Sequence, residues 1–243
     1  MDIKIDNKGF EMLLRMLLSC RCPLKDEIEN KLVSLYYSKK NEEYIDYNSL
    51  ISLGDEQLQL DECKQKSTDT VFHRLKEFCL YSINDLDKEI IITEEDVYRH
   101  FCTNFHWRHV ERYFLKNFDK IENLSSWFVG HMLLPITLKH EDNSVIGEYS
   151  FFDRKIILRN IYISPNIPIE MNGYYCIHFA AIISKVNEDQ FNMIFKHLEE
   201  NKLFKQYRQD LKIIDYKNYQ RFGNYYEIVK NRYKKFETHE LLV

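Results

Sequence analysis

The N-terminal third of the chain carries hydrophobic residues at helical spacing. Leucine and aromatic residues recur at intervals of three and four over 8–40, which is typical of amphipathic helices. Proline lacks a backbone donor and restricts the residue before it, so Cys22-Pro23 divides this stretch into two predicted helices. Residues 46–66 are polar and irregular and are expected to hold a short helix or a mobile loop, and a further helix is predicted after Asp69. We therefore expect a helical N-terminal half.

The next helical stretch begins with a capping pattern. In Thr-Glu-Glu-Asp at 93–96, a hydroxyl is followed three residues later by a carboxylate, as in a capping box. The apolar positions before and after 102–104 fall on different faces of one continuous helix. We therefore predict two helices, 94–102 and 105–119, joined by a tight turn.

Beyond residue 125 the pattern becomes that of strands. Four segments rich in Ile, Val, Tyr and Phe are separated by turn residues, which predicts about four strands, at least three of them an antiparallel meander. These segments are 132–138, 145–152, 155–164 and 174–184.

Helices are predicted again at the C-terminal end. Asn187 is a helix cap, and the apolar face that follows it extends through Phe204 to Tyr207. A short strand is expected at 211–215 and a last helix at 224–236. The order of helices, strands and helices predicts an α+β fold. We divide it into a mainly helical region, 1–124, and an α+β region, 125–243, which form one compact domain or two.

Composition removes several classes of function. The six glycines are spaced so that neither GxGxxG nor GxxxxGK[ST] occurs, which excludes a dinucleotide-binding Rossmann turn and a Walker-type NTPase. We expect no cofactor.

The six cysteines form no CxxC pair and are interpreted as reduced thiols. The longest apolar run, 127–138, is too short for a membrane span, and the acidic N-terminus is unlike a signal peptide. We therefore expect a cytoplasmic protein with no membrane partner.

Positive charge concentrates in two places. Residues 1–100 hold 14 basic and 21 acidic side chains, whereas 202–243 hold ten basic and five acidic ones with aromatic residues between them. Cations neutralise phosphates and exposed rings stack on bases, so this tail is a candidate surface for nucleic acid or an acidic protein. The candidates in the tail are Lys205, Arg208, Lys212, Lys217, Arg221, Lys230, Arg232, Lys234 and Lys235.

The second basic stripe lies on the predicted helix 105–119. A short helix, a turn and a second helix over 94–118 match the plan of a helix-turn-helix. Arg108, Arg112 and Lys116 share one stripe of the second helix, opposite its apolar face, and would contact a groove or an acidic partner.

Histidines in the same segment suggest two further kinds of chemistry. His106 and His109 share a helix face, but no thiol or carboxylate stands at a zinc-finger spacing, so we predict no metal site. The spacing of Arg99 and His106 resembles the active-site motif of HEPN-type ribonucleases. That resemblance implies that His106 acts as general acid or base and that Arg99 stabilises charge on the scissile phosphate.

A carboxylate pair suggests a different nuclease. Asp142 and Glu148 resemble the acidic pair of PD-(D/E)xK nucleases, which hold Mg²⁺ through oxygen ligands. The lysine that this family places two residues after the glutamate is Ser150 here, and Lys155 could substitute from the next strand.

These observations favour a non-enzymatic intracellular binding or regulatory protein. It would engage nucleic acid or an acidic protein through its basic helix faces. The alternatives are a small nuclease, metal-independent through Arg99 and His106 or Mg²⁺-dependent through Asp142 and Glu148, and an inhibitor or immunity-type module. The acidic stretch 41–62 and the run 85–96 are the surfaces that such a module would use.

Overall fold

The chain folds into an α+β architecture. The structure, a computed structural model, describes residues 2–19, 26–60, 71–81, 89–102, 124–217 and 225–238. The helices are α1 (Asn7–Ser19), α2 (Asp26–Lys39), α3 (Tyr47–Leu60), α4 (Val71–Tyr81), α5 (Glu94–Cys102), α6 (Leu124–Gly130), α7 (Glu188–Glu200), α8 (Lys202–Arg208) and α9 (Tyr225–Thr238). The strands are β1 (Ile3–Asp6), β2 (Tyr44–Asp46), β3 (Ile90–Ile92), β4 (Leu133–Glu141), β5 (Ser144–Phe151), β6 (Arg154–Arg159), β7 (Tyr174–His178), β8 (Ala181–Lys185) and β9 (Ile213–Asp215).

The larger sheet has the strand order β8-β7-β4-β5-β6-β9. Its neighbours are antiparallel except for β9, which runs parallel to β6. The four predicted strands all contribute to it, and the short strand expected at 211–215 becomes its edge. The fourth prediction, one strand over 174–184, is wrong in detail because the chain turns at Phe179-Ala180 and returns as β8.

A smaller sheet, in the order β2-β1-β3, was not anticipated. The strand β1 pairs antiparallel with β2 and parallel with β3. Strands of three or four residues are too short to show a clear alternation of apolar and polar positions. Of the two alternatives left open for 46–66, a short helix or a loop, the described residues form a helix, α3.

The predicted helix starts agree with observed caps. The Thr93 backbone N–H donates to Asp96 Oδ2 at 2.9 Å, and the Asp96 N–H lies 3.4 Å from Thr93 Oγ1. The Asn187 side chain accepts from the Gln190 N–H, and the Gln190 side chain accepts from the Asn187 N–H, which completes a capping box at α7. The apolar face predicted to run on to Tyr207 is shared by two helices because Asn201 ends α7 and caps α8.

Buried residues from both halves of the chain belong to one hydrophobic cluster. It includes Phe10 and Leu14 from α1, Phe101 from α5, and Tyr149 and Ile177 from the larger sheet. The helix α1 packs against α2, α5, α9 and β8. It therefore contacts elements from both the N-terminal and the C-terminal part of the chain. No helix of the described residues is long and apolar enough to cross a membrane.

Helix α9 is fixed to the N-terminal helices by buried polar contacts. The Tyr233 hydroxyl donates to the Arg15 carbonyl at 2.8 Å, and the Tyr37 hydroxyl donates to the Phe236 carbonyl at 2.5 Å. Arg232 Nε lies 3.1 Å from Glu29 Oε2, with both side chains nearly buried. These anchors attach α9 to α1 and α2 by directional bonds as well as by apolar packing.

Candidate functional site

The hairpin turn between β5 and β6 presents an exposed aromatic ring. Phe151 pairs with Arg154 across the hairpin, so only Phe152 and Asp153 form the turn. Phe152 has φ 49° and is 94% exposed. The first central residue of such a turn is usually Gly, Asn or Asp, because a positive φ places Cβ too close to neighbouring backbone atoms. For an ordinary L-residue that conformation costs about 1–2 kcal/mol.

Two other hairpin turns of this sheet show how such a conformation is usually accommodated. Asp142, at the β4–β5 turn, has φ 52°, and aspartate tolerates this region because its side chain bonds locally. Phe179, at the β7–β8 turn, has φ 50° but is only 4% exposed, with its ring centroid 3.7 Å from that of His131. Neither the residue type nor burial compensates for the conformation of Phe152. Its ring is therefore available to something outside the chain.

A cleft of about 480 Å³ lies beside this ring, between the β5–β6 turn and the C-terminal end of α8. We call it the hairpin cleft, and it is lined by Phe151, Phe152, Asp153, Arg154, Lys205, Arg208 and Gln209. Arg154 Nη1 donates to the Gln209 carbonyl at 2.9 Å, which ties the turn to the end of α8. Arg154 and Lys205 are both exposed, so the cleft beside the ring carries two accessible cations.

Arg208 is a buried residue that supports the lining of the cleft. Its side chain is 6% exposed, and Nη2 lies 2.6 Å from Glu199 Oε2. The guanidinium carbon is 3.8 Å from the centroid of the Phe151 ring. Glu199 also accepts a hydrogen bond from the Tyr149 hydroxyl at 2.7 Å. This buried network holds α7 and α8 against β5, so Arg208 positions the cleft and is not part of an exposed basic face.

Glu148 lies on β5 between two lysines. Its oxygens accept from Lys139 Nζ at 2.6 Å, from Lys155 Nζ at 3.0 Å and from the Ser150 hydroxyl at 3.0 Å. Burial by itself would raise the pKa of Glu148, but the hydrogen bonds from both lysines outweigh it, and the net pKa is lowered. The carboxylate is therefore ionised at neutral pH and neutralised by its neighbours.

The structure brings together only half of the proposed magnesium site. Lys155 reaches Glu148, as the resemblance to PD-(D/E)xK nucleases required. Asp142 does not, because it lies beyond Ser144 at the far end of β5, and Ser144 is four residue steps, about 14 Å, from Glu148 along the strand. The described residues contain no group of three His, Cys, Asp or Glu side chains that could hold a metal ion.

The other nuclease pair and the helix-turn-helix fall largely outside the described residues. Arg99 lies on α5, where its Nε is 3.3 Å from Glu95 Oε1. Its predicted partner His106 lies outside the described residues, as do His109 and the stripe of Arg108, Arg112 and Lys116. These assignments stay predictions.

The basic tail divides into buried and exposed cations. Arg232 is paired with Glu29 inside the α2–α9 contact. Lys230 Nζ lies 3.4 Å from Glu227, and Lys217 Nζ lies 5.2 Å from the centroid of the Tyr226 ring. Lys205, Lys212 and Lys234 are exposed, Lys235 is half-buried, and Arg221 lies outside the described residues. Among the residues of the tail that the structure describes, the basic side chains therefore do not form one continuous exposed face.

A larger cleft of about 640 Å³ lies between the β4–β5 turn, the end of β6 and α9. Its charged lining includes Glu141, Asp142, Arg159 and Lys230, and Arg159 Nε lies 2.8 Å from Glu141 Oε2. Carboxylates and cations are balanced there. It therefore offers a polyanion less attraction than the hairpin cleft does, despite its greater volume.

A serine and a histidine meet inside the core. Ser19 Oγ lies 2.7 Å from His178 Nδ1, and both side chains are fully buried. Burial lowers the pKa of His178 to about 3, so the imidazole is neutral at physiological pH. With no exposed surface on either group, the pair serves to satisfy buried polar atoms at the end of α1.

Most residues of the hairpin cleft were not identified as functional from the sequence pattern. The apolar pattern of 145–152 predicts that Phe152 ends a strand and that the turn lies one residue later, at Asp153-Arg154. Lys205 and Arg208 were found because they belong to the basic tail. Comparisons of the chain with protein-family models, curated proteins and solved structures found no match.

Proposed function

We propose that the protein binds single-stranded nucleic acid at the hairpin cleft. The observation that carries this proposal is the ring of Phe152, almost fully exposed in a backbone conformation that the chain itself does not compensate. Strained backbone that persists in a folded protein is found preferentially at functional sites. The ligand class follows from what surrounds the ring.

An exposed ring in a cleft that also holds two cations suits a nucleotide. Aromatic side chains stack on bases, and each such contact contributes about 1–3 kcal/mol. Arg154 and Lys205 lie close enough to line the same cleft and can neutralise phosphates on either side of a stacked base. A base must be free of its complement to lie on the ring, which favours single strands over duplexes.

An acidic protein is the competing ligand for the same surface. A hydrophobic residue of such a partner would cover Phe152, and its carboxylates would face Arg154 and Lys205. The two cases differ in their response to salt, because a nucleic acid releases condensed counterions when phosphates are neutralised. The Mg²⁺-dependent nuclease alternative has less support, since both oxygens of Glu148 accept hydrogen bonds from lysines. The metal-independent alternative stays a prediction, because His106 lies outside the described residues.

Neutralising either cation of the cleft is expected to weaken binding. Arg154→Gln and Lys205→Gln should each reduce the affinity for a labelled single-stranded oligonucleotide about 3- to 10-fold at 50 mM salt. Each should also reduce the slope of log K against log salt by about 0.7, the value expected for one lost phosphate contact on a single strand. Fluorescence anisotropy between 50 and 200 mM salt measures both quantities.

The matched control is Lys234→Gln, which removes an exposed lysine from α9. It should leave affinity and slope unchanged. An equal effect of Lys234→Gln would move the interface to α9, and the absence of salt-dependent binding by the wild-type chain would reject the proposal. The titrations are run with Mg²⁺ and with EDTA, and the oligonucleotide is recovered afterwards. Cleavage would contradict a purely binding role.

A further inference from the structure

We propose that Asp153 makes the hairpin cleft selective for guanine. This inference rests on the proposed function and names the base that it favours. Asp153 follows Phe152 in the turn, lines the cleft and is exposed. Within the part of the chain that the structure describes, it makes no hydrogen bond or ion pair, although Arg154 and Lys205 line the same cleft.

A free carboxylate is unfavourable in a site for a polyanion. Like charges repel, so Asp153 weakens every contact in which it faces a phosphate. Turn chemistry favours Asp at this position, but it favours Asn and Gly as well, and neither would repel phosphate. The carboxylate is therefore useful only to a ligand that offers hydrogen-bond donors to it.

Guanine is the base that offers two adjacent donors. Its Watson–Crick edge presents N1–H beside the N2 amino group, and the two oxygens of a carboxylate can accept both. Adenine and cytosine present one amino group beside an acceptor nitrogen. Uracil and thymine present one N–H between two carbonyls, and those carbonyls would repel the carboxylate. A bidentate acceptor thus distinguishes guanine from all other common bases.

The other groups of the cleft are compatible with guanine and add affinity. In this arrangement the edge of a base stacked on Phe152 faces Asp153, the next residue of the turn and another lining residue of the cleft. Guanine O6 is an acceptor, and Arg154 and Lys205 are donors that line the same cleft. Stacking alone would accept any base. Selectivity is therefore assigned to the carboxylate, and general affinity to the ring and the cations.

The experiment compares short unstructured oligonucleotides that differ at one central base, which is guanine, inosine, adenine, cytosine or uracil. Inosine keeps N1–H and O6 but lacks the N2 amino group. We expect the wild-type protein to bind the guanine strand about 10- to 100-fold more tightly than the adenine, cytosine and uracil strands, with inosine in between. In Asp153→Asn, an isosteric change that suits the turn, the preference should fall below about twofold. GMP as competitor shows whether the base is read without the rest of the strand.

The control is Asp142→Asn, the same change in the exposed turn at the opposite end of β5. It should retain the guanine preference. Equal binding of all bases by the wild-type protein, or a guanine preference that survives in Asp153→Asn, would overturn the inference and leave single-strand binding intact. Failure of the wild-type protein to bind any strand would reject the proposed function as well.

Discussion

Replacement of Phe152 with asparagine is expected to stabilise the protein and to impair binding at the same time. Asparagine tolerates a positive φ, so the change should relieve about 1 kcal/mol of backbone strain and raise Tm by about 2–4 °C. The lost ring is 94% exposed, so little burial is sacrificed. Loss of one stacking contact of about 1–3 kcal/mol should reduce the affinity for single strands about 5- to 150-fold.

Differential scanning calorimetry and anisotropy measure the two effects on one protein sample. Phe179→Asn is the matched control, because Phe179 has the same backbone conformation at the β7–β8 turn but is buried. It should lower Tm, since the loss of a buried ring outweighs the relief of strain. A Phe152→Asn variant with unchanged affinity would remove the principal support for the hairpin cleft as a binding site. A lower Tm in that variant would show that the ring supports the fold.

Removal of Arg232 is expected to have the largest effect on stability. Arg232→Met would leave the Glu29 carboxylate, whose side chain is 5% exposed, without its nearest cation. An isolated buried charge destabilises by about 3–5 kcal/mol, which corresponds to a fall in Tm of about 6–20 °C. Lys235 also attracts Glu29, so the lower part of that range is expected. The double variant Glu29→Gln/Arg232→Met should recover most of the loss, because it leaves no unpaired charge.

The loss of stability caused by Arg232→Met should depend on pH. Burial raises the pKa of Glu29 above its ordinary value, while Arg232 and Lys235 oppose that shift. A raised pKa in the folded state favours folding below the pKa of the unfolded chain, and this contribution is lost as pH rises through the folded pKa. Without Arg232 the folded pKa rises further. The variant should therefore approach wild-type stability as pH falls from 7 towards 5, and urea unfolding at several pH values measures this. A deficit independent of pH would show that lost packing, and not the charge, is responsible.

Elements with local signals could be predicted from the sequence. The Thr93 and Asn187 caps depend on neighbouring residues only, and a helix begins at each of them. The break predicted at Cys22-Pro23 lies outside the described residues, between the end of α1 and the start of α2. The hairpin of β7 and β8 could not be predicted, because its turn residue Phe179 has no turn propensity and its conformation is compensated by tertiary packing. The three strands of the smaller sheet could not be predicted either, because they are stabilised by pairing with strands that are distant in sequence.

The residues of the candidate site also divide into those that the sequence could identify and those that only tertiary contacts reveal. Lys205 was identified by charge, which can be counted along the chain. Phe152 could not be identified, because a hydrophobic residue at the end of an apolar strand normally faces the core. Only the register of β5 and β6 shows that it lies in the turn. Arg208 supports the cleft through contacts with Glu199 and Phe151. These tertiary contacts could not be predicted from the sequence.

The attachment of α9 to α1 has a consequence for the order of events during biosynthesis. Tyr233 donates to the carbonyl of a residue 218 positions earlier. At ribosomal rates of about 5–20 residues per second, the first helix is made about 10–45 s before the last one. During that interval Arg15 lacks Glu237 and the rings of Tyr233 and Phe236, which surround it in the folded chain. The N-terminal helices therefore cannot complete their folded packing until synthesis has passed α9.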